Sequence, residues 1–135
     1  MKAEPTEREN AISRQIVHCA LTVHRTLGPG LLESVYETCL AHELSKAGLR
    51  VSRQVRVPIH YDEIVLRDSL RLDLLVENSV IVEVKAVLEM HPVFVAQLIT
   101  YLKLGNKRLG LLLNFHAILL KDGMKRVVNG DAVFE

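Results

Sequence analysis

The chain has 135 residues, 49% of them hydrophobic but only 4% aromatic, and a formal net charge of +1. That length suits a single domain over residues 1–135 with a core of Leu, Val and Ile, and the balanced charge excludes a whole-molecule field of the kind that marks a polyanion binder. No apolar run approaches the roughly 18 residues that a membrane span requires, and the charged start from Met1 to Asn10 lacks the apolar stretch of a signal peptide.

The first helix is expected to begin at Thr6, because Thr6-Glu7-Arg8-Glu9 matches a capping box. Ile12, Ile16, Cys19, Val23 and Leu27 then recur at helical spacing, and Leu27-Gly28-Pro29-Gly30 stops the helix. A second helix spans residues 31–47, with Leu32, Val35, Cys39 and Leu40 on its apolar face and Gly48 as its cap. Cys19 and Cys39 both fall in helical patterns and read as small apolar residues, which points to a reducing, cytoplasmic location. Residues 49–61 read as a strand, with Pro58 arguing for an edge or a bulge. Residues 62–68 read as a turn with a short strand at Ile64, Val65 and Leu66. Two further strands follow over 70–77 and 80–87, then a helix over 93–104 with Pro92 in its first turn and Gly105-Asn106 at its end. An apolar strand over 108–114 precedes two short segments, 117–120 and 125–128, which read as a terminal hairpin around Asp122-Gly123. The whole is a mixed α/β domain.

The chemistry gathers on the run Val80-Ile81-Val82-Glu83-Val84-Lys85-Ala86. Glu83 and Lys85 share one strand face, opposite Val80, Val82 and Val84, and charges inside a buried strand need a partner or a metal. The preceding strand carries Asp73, with Leu70, Leu72, Leu74 and Val76 expected together on its other face. A three-residue loop, Glu77-Asn78-Ser79, pairs Val76 with Val80 and so brings Asp73 opposite Glu83. Two carboxylates so placed repel and call for a proton, for Lys85 or for a divalent cation, of which Mg²⁺ or Mn²⁺ best suit oxygen ligands with waters left over. A structural Asp–Lys–Glu cluster that satisfies itself would leave the same pattern. Glu33 and Glu37 lie one turn apart on the second helix, where a solvated face is the plain reading. Gln97 and Tyr101 lie one turn apart on the third helix, where half-buried hydrogen bonding would account for them.

Asp73, then Glu83-x-Lys85, then Gln97-x-x-x-Tyr101 resembles the PD-(D/E)xK nuclease superfamily, and Gly30-Leu-Leu-Glu33-Ser-Val-Tyr36 resembles the signature of its proposed GxxExxY branch. Val23-His24, Leu27-Gly28-Pro29-Gly30 and Asn114-Phe115 are similar to that branch too, so the likeness runs from about Ile12 to Val128. Leu72, rather than proline, precedes Asp73. The resemblance implies a restriction-endonuclease-like α-β-β-β-α-β core with a mixed central sheet flanked by helices, plus an N-terminal helix and a C-terminal hairpin. It implies metal ligation by Asp73, Glu83 and the carbonyl of Val84, with Glu33 as a further carboxylate. Lys85 would orient the attacking water and stabilise charge on the phosphate, and Gln97 and Tyr101 would position lysine, water or substrate. The implied activity is Mg²⁺-dependent hydrolysis of phosphodiester bonds in DNA; a silent nuclease-fold module that binds nucleic acid or serves an assembly is the alternative.

Basic residues that could contact phosphate are Lys46, Arg50, Arg53 and Arg56, then Lys103, Lys107 and Arg108, then Lys121, Lys125 and Arg126, all of which also suit an ordinary solvated surface. Arg53, Lys103 and Arg108, with Tyr36 of the signature, are the expected substrate contacts. The apolar terminal hairpin would bury itself in a homodimer.

Overall fold

The structure, a computed structural model, describes residues 4–129. The Glu9 amide donates to the Thr6 hydroxyl at 3.1 Å and the Thr6 amide donates to the Glu9 carboxylate at 2.7 Å, so the capping box starts α1 (Glu7–Leu27) where it was expected. The break at Gly28 to Gly30, both glycines at positive φ, turns the chain into α2 (Glu33–Lys46). Then come β1 (Val51–Tyr61), β2 (Ile64–Val76), β3 (Val80–Lys85), α3 (Pro92–Leu104), β4 (Leu109–Asn114), a short 3-10 helix (Leu120–Gly123) and β5 (Met124–Val128).

The five strands form one sheet in the order β1-β2-β3-β4-β5. β3 and β4 are parallel and every other pair is antiparallel. A parallel neighbour requires a crossover, and α3 supplies it. α1 and α2 cover one face, where Ile16, Val23, Leu40 and Leu44 pack with Val80, Val82 and Val84. α3 covers the other, packing Leu98 and Leu102 on Ile81 and Leu112. The core is therefore α-β-β-β-α-β, from α2 to β4, with a mixed sheet between helices. Cys19 is buried, Cys39 is partly buried, and both are free thiols.

Three expectations need correction. Residues 64–76 form a single strand rather than a short strand and a separate one. The misleading turn chemistry at Asp68 is a bulge: the ladder passes from Val57–Leu70 to Ile59–Leu66, so Arg67, Asp68 and Ser69 face Pro58 alone. Pro58 offers no amide to that ladder and lies on an edge strand, where proline is tolerated. Second, residues 117–120 and 125–128 do not pair with each other. Residues 117–119 are loop, and β5 pairs with β4 instead. Third, β2 does not keep one face. Leu74 and Val76 pack toward α1 and α2, whereas Leu70 and Leu72 pack toward α3.

Candidate active site

That change of face locates the cleft. β1 changes face at the matching point, with Val51 on the α1–α2 side and Val55, Val57 and Ile59 on the α3 side. Between them Gln54, opposite Asp73 in the register, has φ 51, a left-handed value that non-glycine residues adopt at a cost. Glu37 holds it there. Its carboxylate accepts from Gln54 Nε2 at 2.7 Å and from Arg53 Nη2 at 3.0 Å. Glu37 is thus a buried anchor, not part of a solvated helix face. We expect Glu37→Ala to lower stability by about 1–3 kcal/mol in chemical denaturation, since it strips two donors of their acceptor.

As the β1–β2 ribbon rolls over, β2 leaves β3. The loop pairs Val76 with Val80, as its length predicts, but the ladder stops at Leu74–Val82. One step further the side chains replace the missing backbone partners. The Asp73 amide donates to Glu83 Oε2 at 2.9 Å, and the Val84 amide donates to Asp73 Oδ2 at 2.9 Å. Each carboxylate spends one oxygen on a backbone donor that would otherwise be unsatisfied. Strand geometry sends the Val84 carbonyl to the same edge as its amide, while the Lys85 carbonyl turns to β4 and accepts from the Phe115 amide at 2.9 Å.

The cleft so opened has a volume of about 480 Å³ and is lined by Asp73, Glu83, Lys85, Gln97 and Tyr101, together with Arg56 and Arg71. Lys85 Nζ lies 3.4 Å from Gln97 Oε1 and 4.7 Å from the centre of the Phe94 ring. Burial and the charge of Asp73 push Glu83 up to about 8. Burial also raises Asp73, with Glu37 adding to it against the hydrogen bond from Val84. Glu33, exposed at the start of α2, is raised by partial desolvation and by Asp73, against the opposing charge of Lys85. Three carboxylates from one helix and two strands therefore sense one another with one lysine among them, a deficit of positive charge.

Among the described residues, no group of three or more His, Cys, Asp and Glu side chains closes round one point. A cation here would draw on two carboxylates, a backbone carbonyl and water. That donor set is all oxygen, and it fits a hard divalent ion that keeps part of its hydration.

The expected substrate contacts stand elsewhere. Tyr36 is fully buried, stacked on Phe115 at 4.8 Å between ring centres. Its hydroxyl donates to the Gly28 carbonyl at 2.6 Å and accepts from the Leu31 amide at 3.0 Å, so it ties the loop between α1 and α2 rather than meeting a substrate. We expect Tyr36→Phe to cost about 1–3 kcal/mol in the same measurement, because a backbone amide and a carbonyl lose their partner, and to leave DNA affinity unchanged. Arg53 is taken by Glu37. Arg108 binds Glu9 at 3.1 Å and precedes β4, whose far end pairs with Lys85 at Asn114; six steps of strand, roughly 20 Å, separate it from that end. Lys103, in the last turn of α3, follows Tyr101 by two residues and so lies on another side of the helix.

Sequence reasoning overlooked Arg71, Phe94 and the role of Asn114. Arg71 could have been found by alternation, since it sits two residues from Asp73. Asn114 bonds both backbone groups of Val87, at 3.0 and 2.9 Å, and so fixes the chain just after Lys85. Nothing local signals that contact.

No curated protein and no solved structure matches the chain. A profile of the PD-(D/E)XK nuclease superfamily, whose members generally use divalent metal ions, matches residues 10–127. Since that match runs from α1 into β5 and takes in every residue of the cleft, the chain belongs to the PD-(D/E)XK nuclease superfamily.

Proposed function

We propose that this protein hydrolyses phosphodiester bonds in DNA with Mg²⁺ or Mn²⁺ as cofactor, and that it represents the GxxExxY branch of its superfamily. The observation that carries the reading is the meeting of Asp73 and Glu83 where β2 leaves β3, with Lys85 beside them. The Gly30-Leu-Leu-Glu33-Ser-Val-Tyr36 segment supports the branch, and it sets Glu33 within electrostatic reach of Asp73 and Lys85.

In this reading Asp73, Glu83 and the Val84 carbonyl hold the ion, with Glu33 as a further carboxylate. When bound, such an ion acidifies water and offsets charge on a phosphate. Lys85 is a compact cation suited to the non-bridging oxygens of the phosphate under attack. As a water oxygen bonds to phosphorus, the bond to the leaving sugar oxygen breaks, and Lys85 stabilises the charge that builds up between them. Gln97 Oε1 and the Phe94 ring hold the ammonium in place. Tyr101, on the same face of α3 one turn beyond Gln97, closes the cleft and positions water or substrate.

The test is cleavage of single- and double-stranded DNA by the wild type with Mg²⁺, Mn²⁺ or EDTA. Salt-dependent DNA binding with no metal-dependent cleavage would mean a silent binding module instead. A homodimer would bury Ile118 and Leu119, which are 81% and 54% exposed in the loop between β4 and β5; sedimentation at rising concentration reads it. The free thiols Cys19 and Cys39 support a cytoplasmic location, and among the described residues no helix is long and apolar enough to cross a membrane.

A further inference from the structure

Beyond Asp73 the β1–β2 ribbon runs on along the wall of the cleft, and there Arg56 stands directly across from Arg71. Partners so paired share a face, and like charges in that position weaken the ribbon. Asp68 relieves Arg56, its Oδ1 lying 2.9 Å from Arg56 Nη1. Arg71 is exposed and, among the described residues, forms no ion pair or side-chain hydrogen bond. Facing Arg56, Arg71 costs the fold stability and returns no ion pair of its own, yet both guanidinium groups face a polar cleft. An anion lodged between them would reverse the sign of that interaction.

We propose that Arg71, assisted by Arg56, is a phosphate subsite that holds the nucleic-acid strand at the phosphate next to the one being cut. This inference rests on the nuclease reading above. Arg71 lies two residues from Asp73 along β2, roughly 7 Å, which is about one nucleotide step along a sugar–phosphate backbone. A guanidinium donates two parallel hydrogen bonds to a phosphate, and two facing guanidiniums can grip one from both sides. Asp68 stands in for the phosphate at Arg56 until substrate arrives. Such a contact reads backbone, not bases, so it sets the register of the scissile phosphate without sequence preference.

The experiment compares wild type, Arg71→Gln and Arg14→Gln, a control that removes one exposed positive charge from α1. Binding of fluorescent single-stranded and duplex DNA is followed in EDTA across a salt series, and cleavage kinetics are followed in Mg²⁺. Arg71→Gln should weaken binding about tenfold and lower the slope of log Kd against log salt by about one. It should raise KM more than it lowers kcat, and its Tm should equal or exceed that of the wild type because cross-strand repulsion is gone. Arg14→Gln should change none of these.

Wild-type affinity and salt slope in Arg71→Gln would overturn the subsite, and so would an equal loss in Arg14→Gln or a loss confined to kcat. Failure of the wild type to bind DNA would also overturn it. The nuclease reading fails separately: a wild type that binds but never cleaves refutes that reading, while the effect of Arg71→Gln on Kd and salt slope still decides the subsite.

Discussion

Asp73→Asn, Glu83→Gln and Lys85→Ala should each lower metal-dependent DNA cleavage by about 10²–10⁴-fold, the range expected when a group that stabilises transition-state charge is removed. The first two changes remove charge but keep shape. The amide oxygen of the introduced asparagine would still accept from the Val84 amide, and that of the introduced glutamine from the Asp73 amide, so the parted strands stay tied. Glu83→Gln is the sharper of the pair. With its carboxyl pushed up to about 8 by burial and by Asp73, Glu83 carries a proton at neutral pH in the unliganded protein, and glutamine imitates that neutral form. Its thermal stability should therefore equal or exceed the wild type while cleavage and metal binding are lost. Cleavage at wild-type level in all three variants would show that the activity comes from another site or another protein.

Affinity for a divalent ion should rise with pH, about tenfold for each unit below pH 8, and level off above it. The cause is competition at Glu83. A cation binds the carboxylate, the unliganded site prefers the acid, and each metal ion taken up must release the proton. Calorimetry in two buffers of different ionisation enthalpy counts that proton, and a flat affinity from about pH 6 to pH 8 would refute the coupling. The same raised group makes a linked prediction for the metal-free protein. Above its usual 4.5 the unfolded carboxyl has lost its proton, whereas the folded one keeps it up to about 8. Folding in that window takes up a proton, so stability falls as pH rises through it, by at most about 1.4 kcal/mol per pH unit. Asp73 and Glu33, also raised, act in the same direction. Glu9, lowered against the opposing effect of burial by its hydrogen bond to the Thr6 backbone and by Arg108, acts in the opposite direction, losing its contribution as pH falls through the acid range. Glu83→Gln should flatten the alkaline side of the profile.

The two predictions share one structural cause. Asp73 and Glu83 are costly where they stand, because both are desolvated and each repels the other. They are held by reciprocal bonds to each other's strands, which supply just enough backbone donors to keep them in place and leave an oxygen of each for a cation. A cluster that merely satisfied itself would set one positive charge against each carboxylate, whereas here a single cation, Lys85, acts on Glu33, Asp73 and Glu83 together, and Arg56 and Arg71 stand on the wall of the same cleft.

Much of this protein is determined by short-range chemistry and is legible along the chain. The capping box at Thr6, the glycine break after Leu27, the prolines at 58 and 92, and the three-residue loop that sets Val76 against Val80 act over a few residues. Their effect follows from local hydrogen bonding and backbone freedom, whatever the rest of the chain does. The pairing of Asp73 with Glu83 and the placing of Lys85 beside them follow from that loop and from strand alternation alone. The rest was decided in three dimensions. Alternation extends a strand's faces indefinitely, but a left-handed residue at Gln54, pinned from another element by Glu37, rolled β1 and β2 over together and divided their apolar residues between two cores. Arg108 and Tyr36 look like ligands in a list of polar residues; the direction of β4 carries the first to the wrong end of the sheet, and the packing of Phe115 seals the second in the core. Contacts between residues far apart in sequence depend on which elements become neighbours, and that is fixed by burying the whole apolar surface at once rather than by any one segment.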